Sequence, residues 1–167
     1  MSDAAQGQVY TEYIAAQLAG EHGRRVSLQA RSQWLVSAAA VLLTLMTGVV
    51  LFAPLEVEGG APGWLRAGYL VSLAALVVAA AAGIWAGRAY RYEVAAEATL
   101  SAMLREHWGD HPVDAGNLVG RLQVAELISL RHGNNLMARW VLAGQVAQLV
   151  FLALFTACAV LDAALAR

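Results

Sequence analysis

Three stretches without a single charged residue limit what this chain can fold into. Residues 32–55, 67–87 and 140–161 contain no Asp, Glu, Lys or Arg. Each is long enough to cross a bilayer core of about 30 Å, which takes roughly 20 helical residues. Charged residues make up 14% of the chain, well short of the soluble average of about 25%, and all of them fall outside these runs. One soluble core does not need three such runs. The expectation is an all-α integral membrane protein with three transmembrane helices and a small cytoplasmic helical portion.

The rest of the composition mostly excludes. A net charge of −1 argues against a nucleic-acid partner, because a phosphate backbone demands an excess of cations. The single cysteine, Cys158, lies inside the third apolar run and reads as a small apolar filler. Residues 1–31 lack the apolar core of a secretory signal. The first apolar run is too long for one and lacks a small-residue cleavage site, so the first helix is expected to stay as an anchor. No Walker loop, GxGxxG or Ser–His–Asp arrangement stands out, so neither an enzyme nor a cofactor is expected.

Four segments follow. Residues 1–31 form a cytoplasmic lead-in helix rich in Gln, Ala, Leu and Glu. Glu21 and Arg25 stand there at i,i+4 in the favourable order, and Gly20 and Gly23 mark a place for a kink. Residues 32–88 form a transmembrane hairpin with spans at about 33–53 and 65–87, joined by a Gly- and Pro-rich turn at 56–66. Residues 89–136 form a cytoplasmic helical hairpin: helix continues from 88 to 106, breaks at 107–114, and resumes at 115–131 with Asp114 as N-cap. Gly133, Asn134 and Asn135 interrupt or kink the chain. Residues 137–167 form the third transmembrane helix and a short tail.

Orientation follows from arginine. Arg24, Arg25 and Arg31 precede the first span, and Arg88, Arg91, Arg105, Arg121, Arg131 and Arg139 separate the second from the third. The hairpin turn has only Arg66. The positive-inside rule then puts the N-terminus and residues 88–139 in the cytoplasm and the protein in the inner (plasma) membrane. Arg167 runs against this.

Three groups of residues are candidates for function. Ala75, Ala79, Gly83 and Gly87 form a small-xxx-small ladder on the second span, the kind of face that lets helix backbones approach in lipid. Its partner is either the slot Ala40, Thr44, Gly48 on the first span or a second copy of the chain. Gln145 and Gln148 lie inside the third span, where an amide must pair. They are either glue between helices or the polar lining of an assembly, which Thr44, Thr47 and Ser72 would join. Arg88, Arg91, Arg131 and Arg139, with Asn134 and Asn135, gather towards the inner face. They serve either as positive-inside anchors or as a site for an anionic nucleotide or lipid head group. His107 and His111, with Asp110 and Asp114, have zinc-like spacing, but Gly109 and Pro112 disfavour a helix there, and a polar turn with no metal is expected. No Asp, Glu, Lys or Arg lies at depth, which argues against a proton-coupled transporter.

The layout also resembles a family. A polar helix carrying Glu21 and the stretch Arg24, Arg25, Ser27, Leu28, Arg31 (RRxSLxAR) enters the first span. Leu130, Arg131, Asn134 and Asn135 (LRxxNN) precede the last. This resembles small prokaryotic membrane effectors of nucleotide-signalled antiphage systems, of the Pycsar transmembrane-effector and SLATT kinds. The resemblance implies a homo-oligomer that impairs the host membrane when a cyclic nucleotide or a cytoplasmic protein triggers it. The alternative from the residues alone is a structural or regulatory membrane subunit that recruits a partner through its cytoplasmic helices.

Overall fold

The computed structural model describes residues 3–52, 62–88, 90, 92 and 94–165, with 3–6 and 47–52 described for their backbone only. Among the described residues there are four helices: α1 (Asp3–Phe52), α2 (Gly63–Gly87), α3 (Glu97–Arg105) and α4 (Pro112–Leu165). The described residues contain no strand. Two of the helices, α2 and α4, are long and apolar enough to cross a membrane, each with a stretch of mean hydropathy 2.1. The expected first span falls on the C-terminal part of α1, whose last residues lie outside the described side chains.

Several element boundaries differ from the sequence expectation. α1 is continuous through Gly20 and Gly23. α2 stops at Gly87 instead of continuing to 106. Arg88 is extended (φ −59°, ψ 140°), as is Ala96 (φ −62°, ψ 147°), and helix resumes only for the nine residues of α3. The carbonyl of Tyr90 accepts from the Arg25 guanidinium (3.3 Å) instead of from a helical N–H. α4 begins at Pro112 and not at 115. Proline suits the first helical position, where its missing N–H loses no bond, and Asp114 stands in the first turn, near the positive end of the helix dipole. α4 then runs unbroken through Gly133, Asn134 and Asn135. Asn134 turns its amide to Glu21 of α1, so it does not compete with its own backbone for hydrogen bonds.

The chain divides into two compact units. A polar unit comprises residues 1–27 and 89–136. An apolar unit comprises residues 28–88 and 137–167. α1 and α4 contribute to both.

In the apolar unit three helices meet. α2 runs antiparallel to α1, with Gly83 against Ser32, Leu35 and Val36 and Gly87 against Ser32. It is also antiparallel to α4: Trp85 pairs with Trp140 (6.1 Å between rings) and Tyr69 with Phe155 (5.6 Å). Leu35 is the central side chain. Its Cδ2 lies 3.1 Å from where a Cβ would stand on Gly83 and 2.6 Å from one on Gly144. Ala39, Leu76 and Phe151 continue the core, with Leu42, Met46 and Phe155 packed on it.

The small ladder is thus used inside the chain at Ala79 and Gly83, both buried, while Ala75 is half-buried and Gly87 exposed. Its partner on α1 is the face of Ser32, Leu35, Val36 and Ala39. It is not the expected slot, whose Ala40 and Thr44 are exposed and whose Gly48 lies outside the described side chains.

Replacing Gly144 by Leu should overpack this contact and lower stability by about 1–3 kcal/mol. Gly23→Ala, whose new Cβ meets nothing within 4 Å, should raise it by about 0.5–1 kcal/mol. Loss of helicity in a detergent titration of each variant checks both signs.

Candidate functional site

The polar unit is held by side chains that read across from α1 to α4. Gln17, Glu21 and Arg24 recur at helical spacing on one face of α1 and meet Arg131, Asn134 and Asn135 of α4. The two helices run parallel. The paired residues lie between 110 and 114 positions apart in sequence, and Gly120 approaches Thr11 and Ile14 at nearly the same offset.

Glu21 is the centre of this arrangement. Its carboxylate accepts from Arg131 Nε (3.2 Å) and from Asn134 Nδ2 (2.9 Å), and Arg24 stands 3.6 Å away. Asn134 also donates to the Glu21 backbone carbonyl (2.9 Å), and Arg131 reaches Gln17 Oε1 (2.9 Å). Arg24 donates to Asn135 Oδ1 (3.1 Å). Burial alone would raise the Glu21 pKa. The hydrogen bonds from Asn134 and Arg131 and the charges of Arg24 and Arg131 outweigh it, and the pKa falls below its ordinary value. Asn134 is fully buried, and its Oδ1 has no hydrogen-bond partner among the described residues.

A second set of contacts ties down the segment after α2. The Arg25 guanidinium lies 4.7 Å from the Tyr92 ring centroid. His22 meets the same ring edge-on at 6.3 Å and stands 3.3 Å from Glu126. Gly133 lets α4 pass Tyr90, whose Cβ would lie 3.6 Å from a side chain there. Arg25 therefore does not pair with Glu21 along the helix as its spacing suggested.

Of the expected anion-binding residues, Arg131, Asn134 and Asn135 come together in the polar unit. Arg88 and Arg139 belong to the apolar unit, where Arg88 lies over Trp85 (4.1 Å) and Arg139 is exposed. Arg91 lies outside the described residues. The forked donors of Arg131 already engage Glu21 and Gln17, so a phosphate at this place would have to displace a carboxylate.

His107 and His111 do not share a helix. His107 Nδ1 pairs with Asp110 (2.8 Å) in the turn before α4, and His111 Nδ1 accepts from the Val113 N–H (3.4 Å). No group of three metal-ligating side chains gathers among the described residues. In the apolar unit Gln148 is half-buried and Gln145 exposed. Ser72 is buried and donates to the Tyr69 carbonyl (2.7 Å), and the exposed Thr44 donates to that of Ala40 (2.9 Å). Thr47 lies outside the described side chains.

Sequence reasoning missed Gln17 and the central place of Glu21. The signal was there in part: Arg24 of RRxSLxAR donates to Asn135 of LRxxNN, and Glu21 stands one turn ahead of the first motif. The chain matches no family model, no curated protein and no solved structure.

Because the Glu21 pKa is lowered on folding, its contribution is fully present above the ordinary value of 4.5. It is lost as pH falls below that through the lowered value. Asn134→Ala removes two bonds to Glu21 and should destabilise the polar unit by about 1.5–3 kcal/mol at neutral pH. Hydrogen exchange of α1 amides around Glu21 should rise in that variant, and in the parent protein on acidification below pH 4.5.

Proposed function

We propose that the chain is a non-enzymatic, multi-pass membrane effector that assembles and perturbs the inner membrane on a cytoplasmic signal. The observation that carries the membrane part is the exterior of the apolar unit. Val41, Leu45, Leu70, Val77, Ile84, Leu142, Leu149 and Val160 are each more than half exposed. A water-soluble domain rarely presents so continuous an apolar surface, whereas lipid tails accept it without cost. In this reading the second half of α1 is the first of three spans, α2 the second and the second half of α4 the third. Arginine bias keeps the N-terminus and residues 88–139 in the cytoplasm.

The effector part draws on the resemblance and on the polar unit. Arg24 of one motif that carries the resemblance and Arg131 and Asn134 of the other meet at Glu21. There a ligand bearing phosphate, such as a cyclic nucleotide, would compete with the carboxylate for Arg24 and Arg131. α1 and α4 are continuous from that cluster into the apolar unit, so a change at Glu21 has a path along them.

A second reading, a regulatory subunit that recruits a cytoplasmic partner, is favoured by α3 and the turn after it. Leu100, Leu104 and Trp108 are at least half exposed, and no residue of α3 is buried. They present a short apolar face suited to a partner helix.

Dye release from proteoliposomes separates the two. The effector reading expects release that rises on adding one member of a panel of cyclic nucleotides and is lost in Arg131→Ala. Intact vesicles under every condition, with a protein co-purifying from cells and lost on Trp108→Ala, would favour the subunit.

A further inference from the structure

Gln145 stands out on the apolar unit. It lies five residues beyond Trp140, roughly 7 Å deeper along α4 at 1.5 Å per residue, and it is exposed. No hydrogen bond to its side chain forms among the described residues. Gln148, three residues on, turns half inward; Gln145 turns outward. An amide facing hydrocarbon without a partner is unfavourable by several kcal/mol on transfer scales, so a lipid-facing glutamine calls for a partner from outside the chain.

The same flank of α4 supplies the rest of a surface. Gln145, Leu149, Leu152 and Thr156 follow at steps of four, three and four, the spacing of a helix seam, and all are exposed. Beyond Gln145, a shallow depression lined by Leu149, Leu152, Ala153, Thr156, Ala157 and Val160 occupies this face. The buried seam of α4, by contrast, is Met137, Val141, Gly144, Phe151 and Cys158. α4 therefore carries two seams, one satisfied within the chain and one not.

We infer that this second seam is the contact between two copies of the chain, α4 against α4, with Gln145 paired to Gln145 of the second copy. The occupant follows from the chemistry. A primary amide both donates and accepts, so two glutamines on a twofold axis satisfy each other with two bonds. A lipid tail offers neither donor nor acceptor. Two parallel α4 helices would also set Leu149 and Leu152 of each copy into the depression of the other. The inference rests on the assembly proposed above and names its interface.

The test uses full-length protein in proteoliposomes with Cys158→Ala as background, which removes the buried native thiol. Single cysteines are placed at Leu149 and Thr156 on the seam and at Val150 on the opposite flank, and disulfides are formed by mild oxidation. The expected result is a covalent dimer through Leu149→Cys and Thr156→Cys and little through Val150→Cys. Gln145→Leu, which breaks no side-chain hydrogen bond among the described residues, should weaken the dimer by about threefold to thirtyfold, the range of one to two interhelical bonds in lipid. Gln145→Asn should keep part of it. A dimer that crosslinks through Val150→Cys and ignores Gln145→Leu would overturn this interface while leaving assembly standing. A chain that stays monomeric at native density would overturn the interface and the assembly together.

Discussion

The apolar unit depends on one side chain entering the space that two glycines leave. Leu35 of α1 lies against Gly83 of α2 and Gly144 of α4, 3.1 Å and 2.6 Å from where a β-carbon on each would stand. In the membrane setting proposed above there is no hydrophobic drive between helices, so van der Waals contact at close range would hold them together. Three helices can share such contact only where two are stripped of side chains and the third fills the gap. Ala39, Leu76 and Phe151 extend the contact along the seam, and the bulky aliphatic residues are left to face outward.

The polar unit is held differently, by charge and hydrogen bonds around Glu21. That carboxylate meets two guanidinium groups and one buried amide, the kind of charge-assisted network whose bonds are individually stronger than neutral ones. Removing a single member leaves another group unpaired. The buried Asn134 makes the network sensitive to geometry, since one of its two polar ends has no partner among the described residues. α1 and α4 run parallel in each unit, so both contact schemes are built on the same two helices.

The sequence made the helical class of the fold plain, because uncharged runs of this length leave backbone groups that a helix satisfies within itself. It also exposed the ladder on α2, since a four-step repeat of small residues is a local property. It did not reveal which face of α1 would meet that ladder. The rotation of α1 is set by all its neighbours at once, and a slot at Ala40 and Thr44 is no guide when Leu35 finds glycine on two sides. The break expected at Gly133–Asn135 is absent for the same kind of reason: Asn134 disturbs a helix only when its amide turns to its own backbone, and here Glu21 takes it. Arg131 read as a free cation because its partners lie more than a hundred residues away. The helix expected through Tyr90 gives way to contacts with Arg25 and His22 that no local pattern announces.

The proposed membrane fold requires three crossings, with α1 and α4 running the same way and α2 between them in the opposite sense. Three crossings place the start of α1 and the turn before α4 on one face of the membrane, and the start of α2 and the end of α4 on the other. With Cys158 replaced by Ala, single cysteines at Glu12, Gly63, Glu106 and Asp162, all exposed, can be challenged in intact cells with a membrane-impermeant maleimide. Three crossings predict labelling at positions 63 and 162 and protection at 12 and 106 until the membrane is opened. Positions 12 and 63 on the same face, or 106 and 162 on the same face, would contradict them.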